Sequence, residues 1–426
     1  MNDECGMMNC KFIASNSSFL CVCGDENYLK MFRPFLKPFS LLYRAVVRAR
    51  ASLYEKGVFK SCSLQAPTIS IGNITVGGTG KTPLVAHVAR IIAARGARVC
   101  ILTRGYKREN PRAGVLVSDG EKILADVKKA GDEPFELARK LVGLSAVIAD
   151  RNRVEAGNWA RENLGITAFV LDDAFQHRRV RRDLDIVCVD ATNPFGNGEI
   201  LPGGILREPL SNLKRADAVV ITRANLIEAK QIADLKLQIS EINPRCEIFV
   251  SENKISNLAS LKKFNAAAQS GKNGQPSVVG GQREAVQQAV KDPNPETEDQ
   301  TTTDPARLTT DHFIAFGALG NPESFFEQLR REKFDLIFTK AFRDHHRYTQ
   351  KDIDDLESEA AARGAQRFLT TAKDAVKLKD LQFNLPCDVV ESELIFDDEE
   401  NFRELIVRAL RKRISREQTR KSTNQE

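Results

Sequence analysis

Between residues 67 and 251 of this 426-residue chain, short apolar runs alternate with stretches of helical period. Thr68–Ile71, Val99–Thr103, Ala146–Ala149, Ala168–Leu171, Ile186–Val189 and Ala218–Thr222 are mostly aliphatic and flanked by polar turns. Runs of that length predict strands buried on both faces, as in a parallel sheet. Pro83–Arg95 and Arg151–Asn163 repeat apolar residues every three or four positions and predict the helices that cover such a sheet. The alternation places residues 61–257 in an α/β domain with a mostly parallel sheet.

The same pattern returns in residues 312–412, with strands predicted at Phe313–Phe316, Leu336–Thr339 and Phe368–Thr371. Helical periods at Pro322–Arg331 and Lys351–Arg363 complete a second, smaller α/β domain. Residues 265–310, inside a linker of 258–311, are rich in Gln, Gly, Pro, Asp and Thr with no apolar period. They predict a largely disordered insert. Residues 413–426 read as a charged, solvated tail.

Ahead of the first strand, residues 31–60 carry a different pattern. Phe35, Phe39, Leu42, Val46, Ala49 and Leu53 fall on one helical stripe, with Arg33, Lys37, Arg44 and Arg48 almost opposite. Pro34 and Pro38 place the start of the regular helix near Pro38, since proline is tolerated in a first turn. An aromatic and aliphatic stripe opposite a basic one suits a helix lying in a membrane interface. The alternative is a helix packed on the domain core with its arginines in solvent. Residues 1–30 hold four cysteines and little periodicity, and are expected to be poorly ordered, with Met31 a possible true start.

Composition narrows the class only slightly. Forty-two per cent hydrophobic and 28% charged residues are ordinary for a soluble globular protein. No stretch has the roughly 18 apolar residues a bilayer-spanning helix needs. A net charge of +6 gives no case for a nucleic-acid partner. Cys100, Cys188 and Cys246 lie in apolar runs, and the pair Cys21 and Cys23 lacks zinc-site spacing, so a reducing compartment is expected.

The chemistry starts at GGTGKT, Gly77–Thr82, between a predicted strand and a predicted helix. Strand, glycine loop and helix is the context of a P-loop. Gly77, Gly78, Thr79 and Gly80 would let backbone amides converge on phosphate oxygens, and the helix N-terminus adds partial positive charge. Lys81 would reach the β- and γ-phosphates of ATP, and the Thr82 hydroxyl would ligate Mg²⁺. The match departs from the standard spacing at Thr75, and Val76 stands where partitioning-type ATPases carry an extra lysine. About ninety residues on, AFVLDD is an apolar strand ending in Asp172 and Asp173, as a Mg²⁺-holding Walker-B strand should. Two solvated aspartates in a turn would give the same string.

Six strings in one order go further: SIGNITVGGTGKTP (Ser70–Pro83), LTRGYKR (Leu102–Arg108), AGDEP (Ala130–Pro134), LDDAFQHR (Leu171–Arg178), LPGGILREPL (Leu201–Leu210) and RADAVVITR (Arg215–Arg223). Together they resemble the tetraacyldisaccharide 4′-kinase family of lipid A biosynthesis. The segment after Met31, FRDHHRY (Phe342–Tyr348) and TTAKDAVKL (Thr370–Leu378) extend the likeness over about residues 31–412, the insert excepted. The resemblance implies transfer of the ATP γ-phosphoryl group to the 4′-hydroxyl of a tetraacyl glucosamine disaccharide 1-phosphate. It implies two α/β lobes with the site between them, working as a peripheral protein on the cytoplasmic face of the inner membrane, with no obligate protein partner. An acceptor with four acyl chains leaves the bilayer only at about 0.8 kcal/mol per exposed CH₂, which favours the membrane reading of the basic helix.

The resemblance also assigns roles. It makes Asp132 the base that accepts the hydroxyl proton, assisted by His345, although DHHRY leaves His346 as an alternative. By residue type alone Asp132 is an ordinary loop acid, and Asp344, His345 and His346 are a helix cap and surface histidines. His177, Arg207 and Glu208 would contact phosphate or order the loop after the Walker-B strand, the alternative for the last two being a structural ion pair. Arg104 and Tyr106, just past the carboxyl end of a strand, would line the lipid-sugar site. A nucleotide switch of the partitioning or metallochaperone type is the rival, separable by ATP turnover that ignores the lipid acceptor. A scaffold with a degenerate site is a second, argued against by intact Lys81, Thr82, Asp172 and Asp173.

Overall fold

The computed structural model describes the backbone of residues 26–106, 108–270 and 311–423, and side chains from 35 to 266 and 311 to 413 within those spans. Every strand predicted from an apolar run is present. The first half contains β1 (Thr68–Asn73), β2 (Val99–Thr103), β3 (Val115–Ser118), β4 (Ser145–Ala149), β5 (Ala168–Asp172), β6 (Leu184–Asp190), β7 (Ala218–Thr222) and β8 (Glu247–Ser260). The second half contains β9 (His312–Gly317), β10 (Asp335–Ala341), β11 (Arg367–Thr371) and β12 (Cys387–Phe396).

All twelve strands form one sheet in the order β10-β9-β11-β12-β8-β7-β6-β1-β5-β2-β4-β3. Pairing is parallel except for β3 on β4 and β12 on β8. β8 belongs to both halves. Its first residues, Glu247–Val250, pair in parallel with β7, and Ser251–Ser260 pair antiparallel with β12. This strand crosses the boundary expected at residue 257. Its second part was not visible as an apolar run because its side chains are mostly exposed or half-buried, and backbone pairing with β12 holds it.

Helices pack on both faces of the sheet. They are α1 (Glu26–Glu55), α2 (Lys81–Ala93), α3 (Val127–Ala130), α4 (Asp132–Lys140), α5 (Arg153–Leu164), α6 (Ala229–Ile242) and α7 (Leu261–Ser270). The second half adds α8 (Pro322–Arg331), α9 (Gln350–Arg363), α10 (Ala372–Ala375) and α11 (Glu399–Thr423). Asn321 caps α8 and Pro322 follows at the first position; Thr349 caps α9 with Asp352 reciprocating, and Gly364 ends it in a left-handed conformation.

Three expectations change. The first helix starts at Glu26, not near Pro38, and runs through both prolines. Pro38 is exposed, so water can satisfy the carbonyl its missing amide leaves free. The predicted tail is instead the end of α11, and Arg413 within it is buried, 2.6 Å from the Ser63 hydroxyl. Helix α11 folds back onto the first half, where Phe402, Leu405 and Ile406 join the core that holds Leu84, Val88 and Ile92 of α2. Finally, residues 265–270 of the expected insert belong to α7, while 271–310 and residues 1–25 lie outside the described residues.

The apolar stripe of α1 does not pack on the core. Phe39 is 62% exposed, Leu42 65% and Val46 58%, whereas Ser40 is buried and accepts a hydrogen bond from the Gly203 amide. Among the described helices, none is long and apolar enough to cross a membrane.

Candidate active site

The glycine loop leaves the end of β1 and enters α2 at Lys81. Gly77 and Gly80 adopt φ of 110° and 78°, a region open to glycine and strained for other residues. The loop is pinned from behind: Asn73 Nδ2 donates to Thr79 Oγ1 at 3.0 Å, and Thr222 Oγ1 donates to the Thr79 carbonyl at 3.0 Å. A Cβ on Gly77 or Gly78 would meet the backbone of Gly320 and Asn321 at 3.7–3.9 Å, ordinary contact distance, so the turn before α8 lies against this side of the loop.

Opposite the loop stand the two carboxylates that end β5. Asp173 has φ of 46°, and its carboxylate receives Arg207 Nη1 at 2.8 and 2.9 Å and lies 3.6 Å from Lys81 Nζ. Burial would raise its pKa, but Lys81 and Arg207 outweigh burial and hold it far below the ordinary carboxylate range. Asp172 is buried and accepts from Thr103 Oγ1 at 2.8 Å. Burial, followed by the nearby charges of Glu133 and Asp173, pushes it up to about 6. Among the described residues no three His, Cys, Asp or Glu side chains form a metal cage. Mg²⁺ is held by one or two carboxylates together with substrate phosphates, and Thr82, Asp172 and Asp173, which line the same cleft as the glycine loop, fit that arrangement.

The other wall comes from the second half of the sheet. His345, at φ of 61°, places Nδ1 3.1 Å from Asp132 Oδ2 at the start of α4. Lys377 Nζ lies 3.8 Å from the same oxygen. Burial opposes ionisation of Asp132, yet the His345 hydrogen bond and Lys377 bring its pKa below the ordinary value. His346 faces elsewhere: it contacts Asp352 at 3.1 Å and stacks on Phe342. Left-handed backbone at a non-glycine residue costs on the order of 1–3 kcal/mol, and of the five described residues that adopt it, Asp173, Arg223 and His345 line the cleft.

One cleft of about 840 Å³ gathers the predicted residues. Gly77–Thr82, Arg104, Tyr106, Asp172, Asp173, His177, Arg207, Glu208 and His345 all line it, and Asp132 lies directly behind His345. The Tyr106 ring sits 5.6 Å from the His345 ring. Arg207 and Glu208 are not paired with one another; Glu208 instead accepts from Arg215 and Asn212 at 2.9 and 2.8 Å. His177 is surrounded by arginines, and burial together with Arg153 and Arg182 drops its pKa to about 3, so the ring is neutral near pH 7. Tyr43, Val47 and Arg50 of α1 also line the cleft, as do Arg223, Asn253 and Gln328.

Several residues here were not singled out from sequence. Buried Arg153 donates to the Asp172 carbonyl, and Gln176 Nε2 donates to the Asn73 carbonyl at 2.8 Å. Lys373 bonds Asp344 at 3.1 Å and lies 3.9 Å from Glu133; these charges overcome burial and raise its pKa. Lys373 and Lys377 are one helical turn apart in TTAKDAVKL, and that spacing was the one available signal.

A family model described as tetraacyldisaccharide-1-P 4′-kinase matches residues 32–411. The protein named tetraacyldisaccharide 4′-kinase from Geobacter metallireducens is 38% identical over 339 residues, covering 80% of this chain and 86% of that one. Its namesake from Desulfotalea psychrophila is 34% identical over 349 residues, covering 82% and 89%. A crystal structure of "apo" form LpxK from Aquifex aeolicus in complex with ATP is 28% identical and superposes with a TM-score of 0.63, covering 89% of this chain and 99% of that one. With a family match across nearly the whole described chain, and relatives above one-third identity matched over most of their length, the chain belongs to the tetraacyldisaccharide-1-P 4′-kinase family.

Proposed function

We propose that the protein transfers the γ-phosphoryl group of ATP to the 4′-hydroxyl of a tetraacyl glucosamine disaccharide 1-phosphate. The observation that carries the reading is the facing of two walls: Lys81, Asp172 and Asp173 beside the glycine loop on one, the Asp132–His345 pair on the other.

In this reading the loop amides and Lys81 would hold the polyphosphate, and Thr82, Asp172 and Asp173 would hold Mg²⁺, which would neutralise charge on the transferred group. Asp132, kept ionised by His345 and Lys377, takes the 4′-hydroxyl proton as the new O–P bond forms and the bond to the leaving ADP oxygen breaks. Arg207 holds Asp173 in place at the cleft, its Nη1 donating to both carboxylate oxygens. Arg104, Tyr106, neutral His177 and Glu208 line the space on the acceptor's side and orient the sugar.

The membrane setting rests on α1. Its exposed Phe39, Leu42 and Val46 belong to the same helix as Tyr43, Val47 and Arg50, which line the cleft. An interfacial helix in that position brings the cleft mouth to the headgroup level, where an acyl-anchored sugar would present its hydroxyl. We assign the protein to the cytoplasmic face of the inner membrane on this basis, as a peripheral protein.

The test is transfer of label from [γ-³²P]ATP to a tetraacyl disaccharide 1-phosphate in mixed micelles with Mg²⁺. Labelled lipid, dependent on both acceptor and Mg²⁺, is expected. ATP hydrolysis at the same rate without acceptor, and no labelled lipid, would replace this reading with the nucleotide-switch one.

A further inference from the structure

We infer that Asn321, on the turn that joins β9 to α8, is a positioning residue that sets the Asp132–His345 pair at a fixed distance from the phosphate loop. The inference rests on the kinase reading above and adds to it a cleft-lining residue whose hydrogen bonds run to the protein itself.

The five residues 317–321 are held at both ends, and the two ends belong to different walls of the cleft. At the start, the Gly317 carbonyl accepts from the Phe342 amide at 2.9 Å, where the segment leading to His345 leaves β10. The next amide, Ala318 N, donates to Asp374 Oδ2 at 3.0 Å. Asp374 is fully buried, and its other oxygen lies 2.8 Å from Lys377 Nζ, the cation that reaches Asp132. The start of the turn is thus fixed to the groups that hold the acid–base pair.

The far end sits on the glycine loop. Gly320 approaches so closely that a Cβ there would lie 2.6 Å from the Gly78 amide nitrogen. Asn321 Nδ2 then donates to Asp190 Oδ2 and Thr192 Oγ1, both at 3.2 Å. Asp190 ends β6 beside the loop and pairs with Arg223, which follows Thr222, the residue bonded to Thr79. Asn321 makes this bond with its amide while its Oδ1 accepts from Ser324 N at 3.3 Å and caps α8. One side chain therefore ends a helix and fastens the second half of the sheet to the phosphate loop.

Those two jobs can be separated. Serine and aspartate cap helices about as well as asparagine. Asn321→Ser keeps a cap but is too short to reach Asp190. Asn321→Asp keeps cap and length but sets a carboxylate oxygen against the Asp190 carboxylate. The reciprocal pair Asn321→Asp with Asp190→Asn restores one donor and one acceptor across the gap.

Full-length wild type and the variants are compared in the lipid-kinase assay, by thermal unfolding, and by hydrogen exchange of segments 317–321 and 342–346. In Asn321→Asp, kcat should fall at least about tenfold with the KM for ATP changed less than about threefold, the signature of misplaced groups rather than lost binding. Asn321→Ser should show a smaller fall of the same kind. Both should keep the wild-type unfolding midpoint and exchange faster in the two segments, and the reciprocal pair should regain part of the lost kcat. Wild-type kcat and exchange in both single variants would overturn the inference, as would loss of activity that only follows loss of thermal stability. The exchange readout does not depend on catalysis. Wild type that phosphorylates no lipid would therefore count against the kinase reading, while the exchange data would still decide whether Asn321 fastens the two walls.

Discussion

His345 Nδ1 lies 3.1 Å from Asp132 Oδ2, across 213 residues of chain, and this contact joins the second half of the sheet to the first at the cleft. If that carboxylate receives the hydroxyl proton, Asp132→Asn keeps the shape and removes the acceptor. The expected loss in kcat is on the order of 10²–10⁴-fold, with ATP affinity retained. Initial rates at saturating ATP, with ATP binding measured by calorimetry, check it. Near-normal turnover would remove Asp132 from the proton-accepting role.

Lys81 is one of two cations on Asp173. Lys81→Ala should abolish labelled lipid while leaving circular dichroism and the unfolding midpoint close to wild type, because the lysine is at the cleft and not in the core. Retained transfer at more than about a tenth of the wild-type rate would contradict a phosphate contact in the transition state.

The depressed pKa of His177 has a consequence for stability. Its folded value, about 3, lies below the ordinary 6.5, so the unfolded chain binds the proton more readily. The contribution is complete above about pH 6.5 and is lost as pH falls from there toward 3. His177→Gln should flatten the fall of urea-unfolding free energy across that window. An unchanged slope would show that the ring does not sit neutral among its arginines.

For α1, replacing Phe39, Leu42 and Val46 together by serine should weaken sedimentation with anionic vesicles at least about tenfold, since each exposed apolar side chain contributes about 1.5–3 kcal/mol when buried. Transfer to a short-chain soluble acceptor should survive. Vesicle binding equal to wild type would refute the anchor.

Phe402 of α11 is fully buried and stacks on Phe396 at 4.3 Å, and His87 of α2 contacts Glu399 at 3.2 Å. Phe402→Ala should cost about 3–5 kcal/mol in chemical unfolding. A change below about 1 kcal/mol would mean the helix is dispensable to the core that backs the phosphate loop.

Most of the sheet was legible from sequence, because burial on two sides leaves an aliphatic run. β2 and β7 span the predicted residues for that reason. β12 was missed although its first four residues, Cys387–Val390, are buried, since Asp388 interrupts the apolar run. β3 escaped notice because it is only four residues long, two half-buried and two buried, and β8 because its distal side chains are exposed or half-buried and held by backbone pairing. The glycine loop and Asp172–Asp173 were readable because their residues are adjacent in sequence and their types are chemically constrained. Asp132 and His345 were reachable only through resemblance, since neither has a local pattern that sets it apart. Asn321 shows the limit most clearly: its local pattern announces a helix cap, while the partner that gives it a second role is 131 residues away. Long-range polar pairs of this kind leave no periodic trace.

Because α11 supplies side chains to the same core as α2, the helix behind the phosphate loop is seated by residues from the other half of the chain. Nascent chains stalled before Glu399 present Leu84, Val88 and Ile92 without the cover of Phe402 and Ile406. Nucleotide-binding competence should therefore be acquired only once residues 399–406 have been synthesised and have folded back onto α2.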